Sequence, residues 1–389
     1  MKLSIAAICA VLVSSAFAQL GPQTALVEGT DYSEKFTDLN YVGDGAVYHK
    51  LDIYLPADTA ESYPVAIHLY GSAWSQNNMK GSADLQTIVK ALLHAGYAVA
   101  VPNQRSSSDA IYPAQLHDSK AAIRFVRANA AVYGFDTSFV VVSGFSSGAH
   151  LAGLVATTCG LSEGTSGSVT VDLVGDLGDH GQFSSCVDAA ALWSPPTNLY
   201  SMSPISAGGS GTFEGALIGA EREGNKDKYM VASSPFYASE DDPPIVMFHG
   251  DGDQIVNKEQ SQELYDSLVA HGVSTAELVY VEGGAHGGTE MYSEENLARM
   301  TDFLDSARAR KAAARDSAAY TSAADTSSAI SSAPRAPGLE NATYAVYSLT
   351  GALISRSAAI DERKLVPGVY FVVATTPAGE RRIFRFVRK

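Results

Sequence analysis

Residues 140–156 constrain the fold of this chain more than any other stretch. Val140, Val141 and Val142 read as a buried strand, Gly144-Phe145-Ser146-Ser147-Gly148 as a sharp turn, and the small residues behind them as a helix. That succession is a nucleophile elbow. A serine hydroxyl is a poor nucleophile at neutral pH, so it must be exposed beside a base and near donors that can hold a developing oxyanion. Glycines two places before and two after Ser146 remove the Cβ atoms that would collide as the strand folds back onto the helix. A second match to the pattern, Gly160-Leu161-Ser162-Glu163-Gly164, follows no strand and lies among Gly, Ser and Thr. Ser162 therefore reads as a turn residue.

An elbow needs a sheet to project from. Strand-like apolar runs at 50–55, 64–70, 97–101, 139–143, 188–193, 245–249 and 277–281 alternate with helical patterns at 83–94, 114–132, 147–157, 258–271 and 294–309. Such alternation predicts an α/β fold, a mostly parallel doubly wound sheet with helices on both faces. Two segments depart from it: 160–187, rich in Gly, Ser and Asp, and the longer 199–244. Both are expected to shape the acyl pocket, because insertions in such sheets surround the crevice at the strands' carboxyl ends. Residues 310–338 are dominated by Ala, Ser, Thr, Asp and Pro and read as a linker. Beyond it, short strands at 343–349, 353–355, 368–375 and 381–387 predict a small all-β, sandwich-like module over 339–389.

Residues 1–18 have one lysine, an apolar core and Ala16-Phe17-Ala18 before Gln19, the pattern of a secretory signal peptide cleaved after Ala18. The catalytic region then begins at residue 19 and runs to 309, in a protein expected to be secreted or held at the cell surface. No later stretch is apolar for long enough to span a bilayer, so no membrane span is expected in the mature chain. Cys9 leaves with the signal. Cys159 and Cys186 remain, open either to a disulfide in an oxidising compartment or to two buried thiols. A formal charge of -15 would repel a phosphate backbone, so nucleic acid is not an expected partner. The charge is uneven: residues 339–389 carry eight Lys or Arg against four Asp or Glu, a tail of +4 on a remainder of -19. Two units with separate jobs follow from that asymmetry.

A serine at an elbow requires an acid and a histidine, which follow it in that order in this kind of fold. His249-Gly250-Asp251-Gly252-Asp253 ends an apolar strand. Asp253 leaves room for the turn before the acid, whereas Asp251 is placed to bond turn amides. Only His271 and His286 come later. His271 sits at the end of a helical pattern, which explains it structurally. His286 lies in Gly283-Gly284-Ala285-His286-Gly287-Gly288, with backbone freedom to reach across a crevice, and is the candidate base. Since the base must be neutral to act, activity is expected to fall below pH of about 6. One oxyanion donor should be the Ser147 N–H, the other a backbone N–H from the loop after strand 64–70, where Gly71, Ser72 and Ala73 are small enough. Tyr70, Trp74 and Trp193 are candidate pocket walls, with core packing as the alternative.

Five segments together, 70–81, 112–136, 141–154, 232–253 and 283–288, resemble the α/β-hydrolase carbohydrate esterases of the bifunctional feruloyl and acetylxylan esterase type. The resemblance covers roughly residues 37–309 and implies hydrolysis of acetyl or feruloyl esters on plant cell-wall polysaccharide, without metal or other cofactor. It also implies Ser146, Asp253 and His286 as the triad, with Ser147 and the loop at 71–74 as oxyanion donors. Many members carry a histidine, three glycines and Trp where this chain has Tyr70, Gly71, Ser72, Ala73 and Trp74. The backbone role survives that change; the shape of the acyl pocket does not carry over. The tail, from Ser348 onward, looks like the C-terminal sorting domains of type IX-like bacterial secretion, which implies a secretion machinery as partner. Two rival classes remain. An exopeptidase of the prolyl-oligopeptidase kind shares triad and fold, and a non-catalytic adhesin or glycan-binding protein could retain a dead hydrolase scaffold.

Overall fold

The computed structural model describes residues 25–208 and 211–325 and the four strands of the C-terminal tail. The expected signal peptide, cleavage site and Cys9 lie outside the described residues, as does the remainder of the linker. The chain divides into two compact units, Met1–Ala309 and Arg310–Lys389.

The first unit is built on eight strands: β1 (Tyr32–Asn40), β2 (Lys50–Pro56), β3 (Tyr63–Leu69), β4 (Ala98–Pro102), β5 (Phe135–Phe145), β8 (Ala189–Trp193), β11 (Ile245–Gly250) and β12 (Glu277–Val281). Their spatial order is β1-β2-β4-β3-β5-β8-β11-β12. The pairs β1·β2 and β2·β4 are antiparallel, and every later pair is parallel. The seven expected strands are thus present, and β1 joins them. Its sequence, YSEKFTDLN, is only half buried and carries charge, the character of an edge strand whose apolar alternation is weak.

The central strands are buried throughout because both faces are covered. With a period of two, Val65, Ile67, Val140, Val142 and Met247 enter one core, and Ala66, Val99, Val141, Val246 and Phe248 enter the other. Three helices bury their apolar stripes on the first face: α2 (Ala114–Ala128), α4 (Ser147–Thr157) and α7 (Glu259–Ala270). The second face is covered by a π-helical turn at Leu85–Val89 leading into α1 (Lys90–His94), and by α8 (Glu294–Asp325). The pattern expected as one helix over 114–132 breaks at Asn129, and α3 (Ala130–Tyr133) closes it. Among the described residues no helix is long and apolar enough to cross a membrane.

The excursion at 160–187 folds as a hairpin, β6 (Glu163–Ser166) and β7 (Val169–Asp172), closed off by a Cys159–Cys186 disulfide. Ser162 is exposed in the bend ahead of it. The 199–244 segment carries the short pair β9 (Ser206–Gly208) and β10 (Gly211–Thr212), then α5 (Phe213–Ile218) and α6 (Lys226–Met230). Ser166 Oγ donates to Asp227 at 2.8 Å, so the two excursions hold each other.

Two expectations for the C-terminal region are corrected. The helix expected to stop at residue 309 continues to Asp325, because the Ala-rich composition read as linker is also the best helix former. The tail strands β13 (Thr343–Ser348), β14 (Leu353–Ser357), β15 (Gly368–Thr375) and β16 (Arg381–Arg388) form one antiparallel sheet, ordered β14-β13-β15-β16. Among the described residues that is a single layer, where strand spacing had suggested the two layers of a sandwich.

Candidate active site

Every parallel strand ends at the same edge of the sheet, and the chemistry-bearing loops follow β3, β5, β11 and β12 there. Ser146 stands between β5 and α4 with φ 52° and ψ -123°, a left-handed backbone that serine rarely adopts. Its surroundings over-determine that conformation. The Ser146 N–H donates to the Trp193 carbonyl at 2.8 Å, and its own carbonyl accepts from His150 N–H at 3.0 Å as α4 begins. A Cβ on Gly148 would fall on the Leu69 carbonyl, and one on Gly144 on the Gly148 carbonyl, so only glycine allows strand and helix to approach this closely. Ser146 is the N-cap of α4, yet its side chain does not cap the helix. The hydroxyl is turned instead toward His286, whose Nε2 lies 2.8 Å from Oγ.

His286 Nδ1 lies 2.7 Å from Asp253 Oδ2. Since the carboxylate can only accept, Nδ1 carries the proton and Nε2 is left to accept from the serine. Asp253 Oδ1 accepts from the Ile255 and Val256 amides at 2.8 and 3.0 Å. Burial by itself would raise this carboxyl, but the histidine and amide donors outweigh burial and hold it well below the usual carboxylate range. Its side chain is fully buried, and that of His286 is 10% exposed. The acid is therefore ionised and shielded, and the imidazole is reachable from the crevice.

Two loops hold this geometry. Gly252 N–H donates to the Gly284 carbonyl at 2.9 Å, and the Asp251 carboxylate accepts from Gly283 N–H at 2.9 Å. Asp251 thus stitches the acid turn to the histidine loop. Gly287 turns the chain after His286 with φ 91°. The His286 ring packs against Phe145 with centroids 5.1 Å apart. His271, the other late histidine, is exposed at the end of α7 and bonds the Ser267 carbonyl at 2.8 Å.

The oxyanion side is partly rearranged from expectation. Gly71 lets its loop lie against Ser146, since a Cβ there would meet the Phe145 carbonyl at 2.8 Å and Ser146 Cβ at 2.9 Å. The Ser72 N–H is occupied, donating to Ser147 Oγ at 2.8 Å. The Ala73 and Ser147 N–H groups have no acceptor among the described residues. Ala73 and Trp74 both have left-handed backbones, φ 48° and 55°, so the loop is held in a conformation that relaxed chains avoid.

The expected pocket walls are corrected: Tyr70, Trp74 and Trp193 are core residues, each 2% exposed or less. Trp193 stacks on Phe248 at 4.1 Å, and Tyr70 donates to the Gln76 carbonyl. Trp74 Nε1–H donates to His150 Nδ1 at 3.2 Å, and His150 Nε2–H donates to the Ala232 carbonyl at 2.8 Å. Burial pushes His150 down to about 4, so it stays neutral at ordinary pH and ties the oxyanion loop to the 199–244 segment through α4. His150, Phe145 and Tyr292 were not singled out from sequence, although the first two lie within or beside the elbow motif. Among the described residues no group of three or more His, Cys, Asp or Glu could hold a metal ion.

The BD-FAE family model matches residues 51–268 of this chain. A solved truncated form of a carbohydrate esterase from gut microbiota is 39% identical with a TM-score of 0.69, covering 73% of this chain and 99% of that one. A bifunctional GH43-CE structure from Bacteroides eggerthii is 42% identical with a TM-score of 0.66, covering 70% of this chain and 38% of that one. Esterase LipQ of Mycobacterium tuberculosis is 26% identical over 66% of this chain and 58% of its own length. The chain therefore spans just under three fifths of that curated relative.

Proposed function

This chain belongs to the BD-FAE family, an α/β-hydrolase family of carboxylic ester hydrolases, and on that footing we propose that Ser146, His286 and Asp253 are its catalytic triad. The observation that carries this reading is the unbroken hydrogen-bond line from Ser146 Oγ through His286 to Asp253, at 2.8 and 2.7 Å. Ser146 Oγ attacks the ester carbonyl while its proton passes to His286 Nε2. Asp253 stays ionised and stabilises the imidazolium. The Ser147 N–H and an N–H of the loop at 71–74, Ala73 among those left open, receive the oxyanion. His286 then returns the proton to the leaving alcohol, and water attacks the acyl-serine by the same route reversed.

The substrate we propose is acetyl or feruloyl ester on plant cell-wall polysaccharide such as xylan. Support comes from the two carbohydrate-esterase structures at 39% and 42% identity and from the segments shared with the feruloyl and acetylxylan esterase type. The enzyme is further proposed to act outside the cell, exported by its N-terminal signal and addressed by its C-terminal sorting-like tail. The bonded Cys159–Cys186 pair supports an oxidising compartment. Release of acetate from acetylated xylan and of ferulate from feruloylated arabinoxylan tests the substrate. Turnover of 4-nitrophenyl acetate, falling at least about 10⁴-fold in Ser146→Ala, tests the nucleophile. Turnover of that variant at the wild-type rate would refute the assignment.

A further inference from the structure

Asp253 is met by a second histidine. His249, at the end of β11, is completely buried, with Nε2 at 2.9 Å from the Val256 carbonyl and 3.4 Å from Asp253 Oδ2. Both neighbours can only accept, so Nε2 carries a proton. Nδ1 lies 2.7 Å from Ser261 Oγ on α7, a hydroxyl able to donate. The ring is thus held on both sides: its Nε2–H is donated to the Val256 carbonyl, and the same polar edge stands 3.4 Å from the carboxylate oxygen that receives His286 Nδ1.

We propose that His249 is a positioning residue that sets the pH at which His286 becomes a base, by drawing charge from Asp253 Oδ2. This rests on the triad reading above. The positive Nε2–H edge 3.4 Å from Oδ2 weakens that oxygen's hold on the His286 proton, so His286 is neutral, and the enzyme active, at lower pH. Removing that edge leaves the charge on Oδ2 less opposed, and the imidazolium is then kept to higher pH. Other ionisable groups near the pair are few. Tyr292 lies within electrostatic reach of Asp253 and Asp84; burial pushes the Tyr292 phenol far up, so it is uncharged throughout the working range. Asp251 is engaged with Gly283, Glu259 on α7 lies within electrostatic reach of His249, and Glu290 is near Gly288 at the solvent edge.

The test is the acid limb of kcat/KM for 4-nitrophenyl acetate in His249→Asn and His249→Gln, each checked for folding by thermal melting. The asparagine amide reaches only the Nδ1 position, whereas the glutamine amide reaches that of Nε2. The asparagine limb is expected to move up by about half a pH unit or more, while glutamine stays near wild type. Equal plateau losses in both variants with no limb shift would leave His249 a purely structural role and overturn the proposal. If either variant does not fold, Ser261→Ala gives the same reading. It loosens the ring, so a smaller upward shift is expected and an unmoved limb overturns the inference. Ser146→Ala in the same assay reports on the triad separately: its full activity would remove the esterase reading, whereas an unmoved limb beside an inactive Ser146→Ala removes only the role of His249.

Discussion

At the scale of the residue, the site depends on places where a side chain is absent. Gly148→Ala would set a methyl group on the Leu69 carbonyl. It is expected to destabilise the protein by about 3 kcal/mol and to lower activity, because strand and helix must separate around Ser146. A thermal melt matching wild type would contradict this. The positions of Ser146 and His286 were legible because glycines bracket each, and that of Asp253 because it follows a glycine turn at a strand's end. The aromatic residues were not legible. Tyr70, Trp74 and Trp193 follow strands toward the crevice edge, and an apolar ring at such a position fits a core or a pocket equally well by sequence. Only their burial in the fold, and partners such as Phe248 and His150, separate the two. His249 was hidden for a similar reason, since within its motif it reads as a strand residue preceding a turn.

At the scale of the element, the alternation of strand and helix carried most of the architecture. The central strands are continuously apolar, and their helices bury wide stripes, so both kinds of pattern were strong. Edge strand β1 and the run of α8 to Asp325 escaped it. Half-buried β1 alternates too weakly to leave a period, and in α8 beyond residue 309 the Ala-rich composition acts through backbone propensity instead. The hairpin β6–β7 is closed at its base by the Cys159–Cys186 bridge, across a separation of 27 residues. A loop of that length predicts a loss of about 3 to 4 kcal/mol when the bridge is removed. Cys159→Ser with Cys186→Ser should lower the melting temperature, and added reductant should lower wild type but not the double variant. Identical melts for all three would show that the bridge contributes nothing to stability.

At the scale of the whole molecule, stability should follow pH through the carboxylates. Burial works to raise Asp253, Asp31 and Asp109, yet hydrogen bonds from amides, hydroxyls and histidines prevail and hold all three below their ordinary value. A carboxyl depressed in the folded state contributes its stability in full above the unfolded value, about 4, and loses it as pH falls through the folded value. The urea midpoint is therefore expected to be level between pH 6 and pH 5 and to fall steeply by pH 3. An unchanged midpoint at pH 3 would contradict the role given to these groups. The second unit carries none of the three residues proposed as the triad, which lie wholly in the first.

Local patterning determined a great deal: the period of two that makes buried strands, the small residues that permit an elbow, and the order in which serine, acid and histidine arrive. These are properties of neighbouring residues, and neighbours are visible in a sequence. What the tertiary structure alone decided was convergence. Residues 146, 253 and 286 meet because β5, β11 and β12 end at one edge of the sheet. Likewise, the Ser72 amide is spent on the Ser147 hydroxyl, and the His249 imidazole beside Asp253 donates to the Val256 carbonyl. Hydrogen bonds of that kind act over about 3 Å, and chain order does not say which distant groups will come within that range.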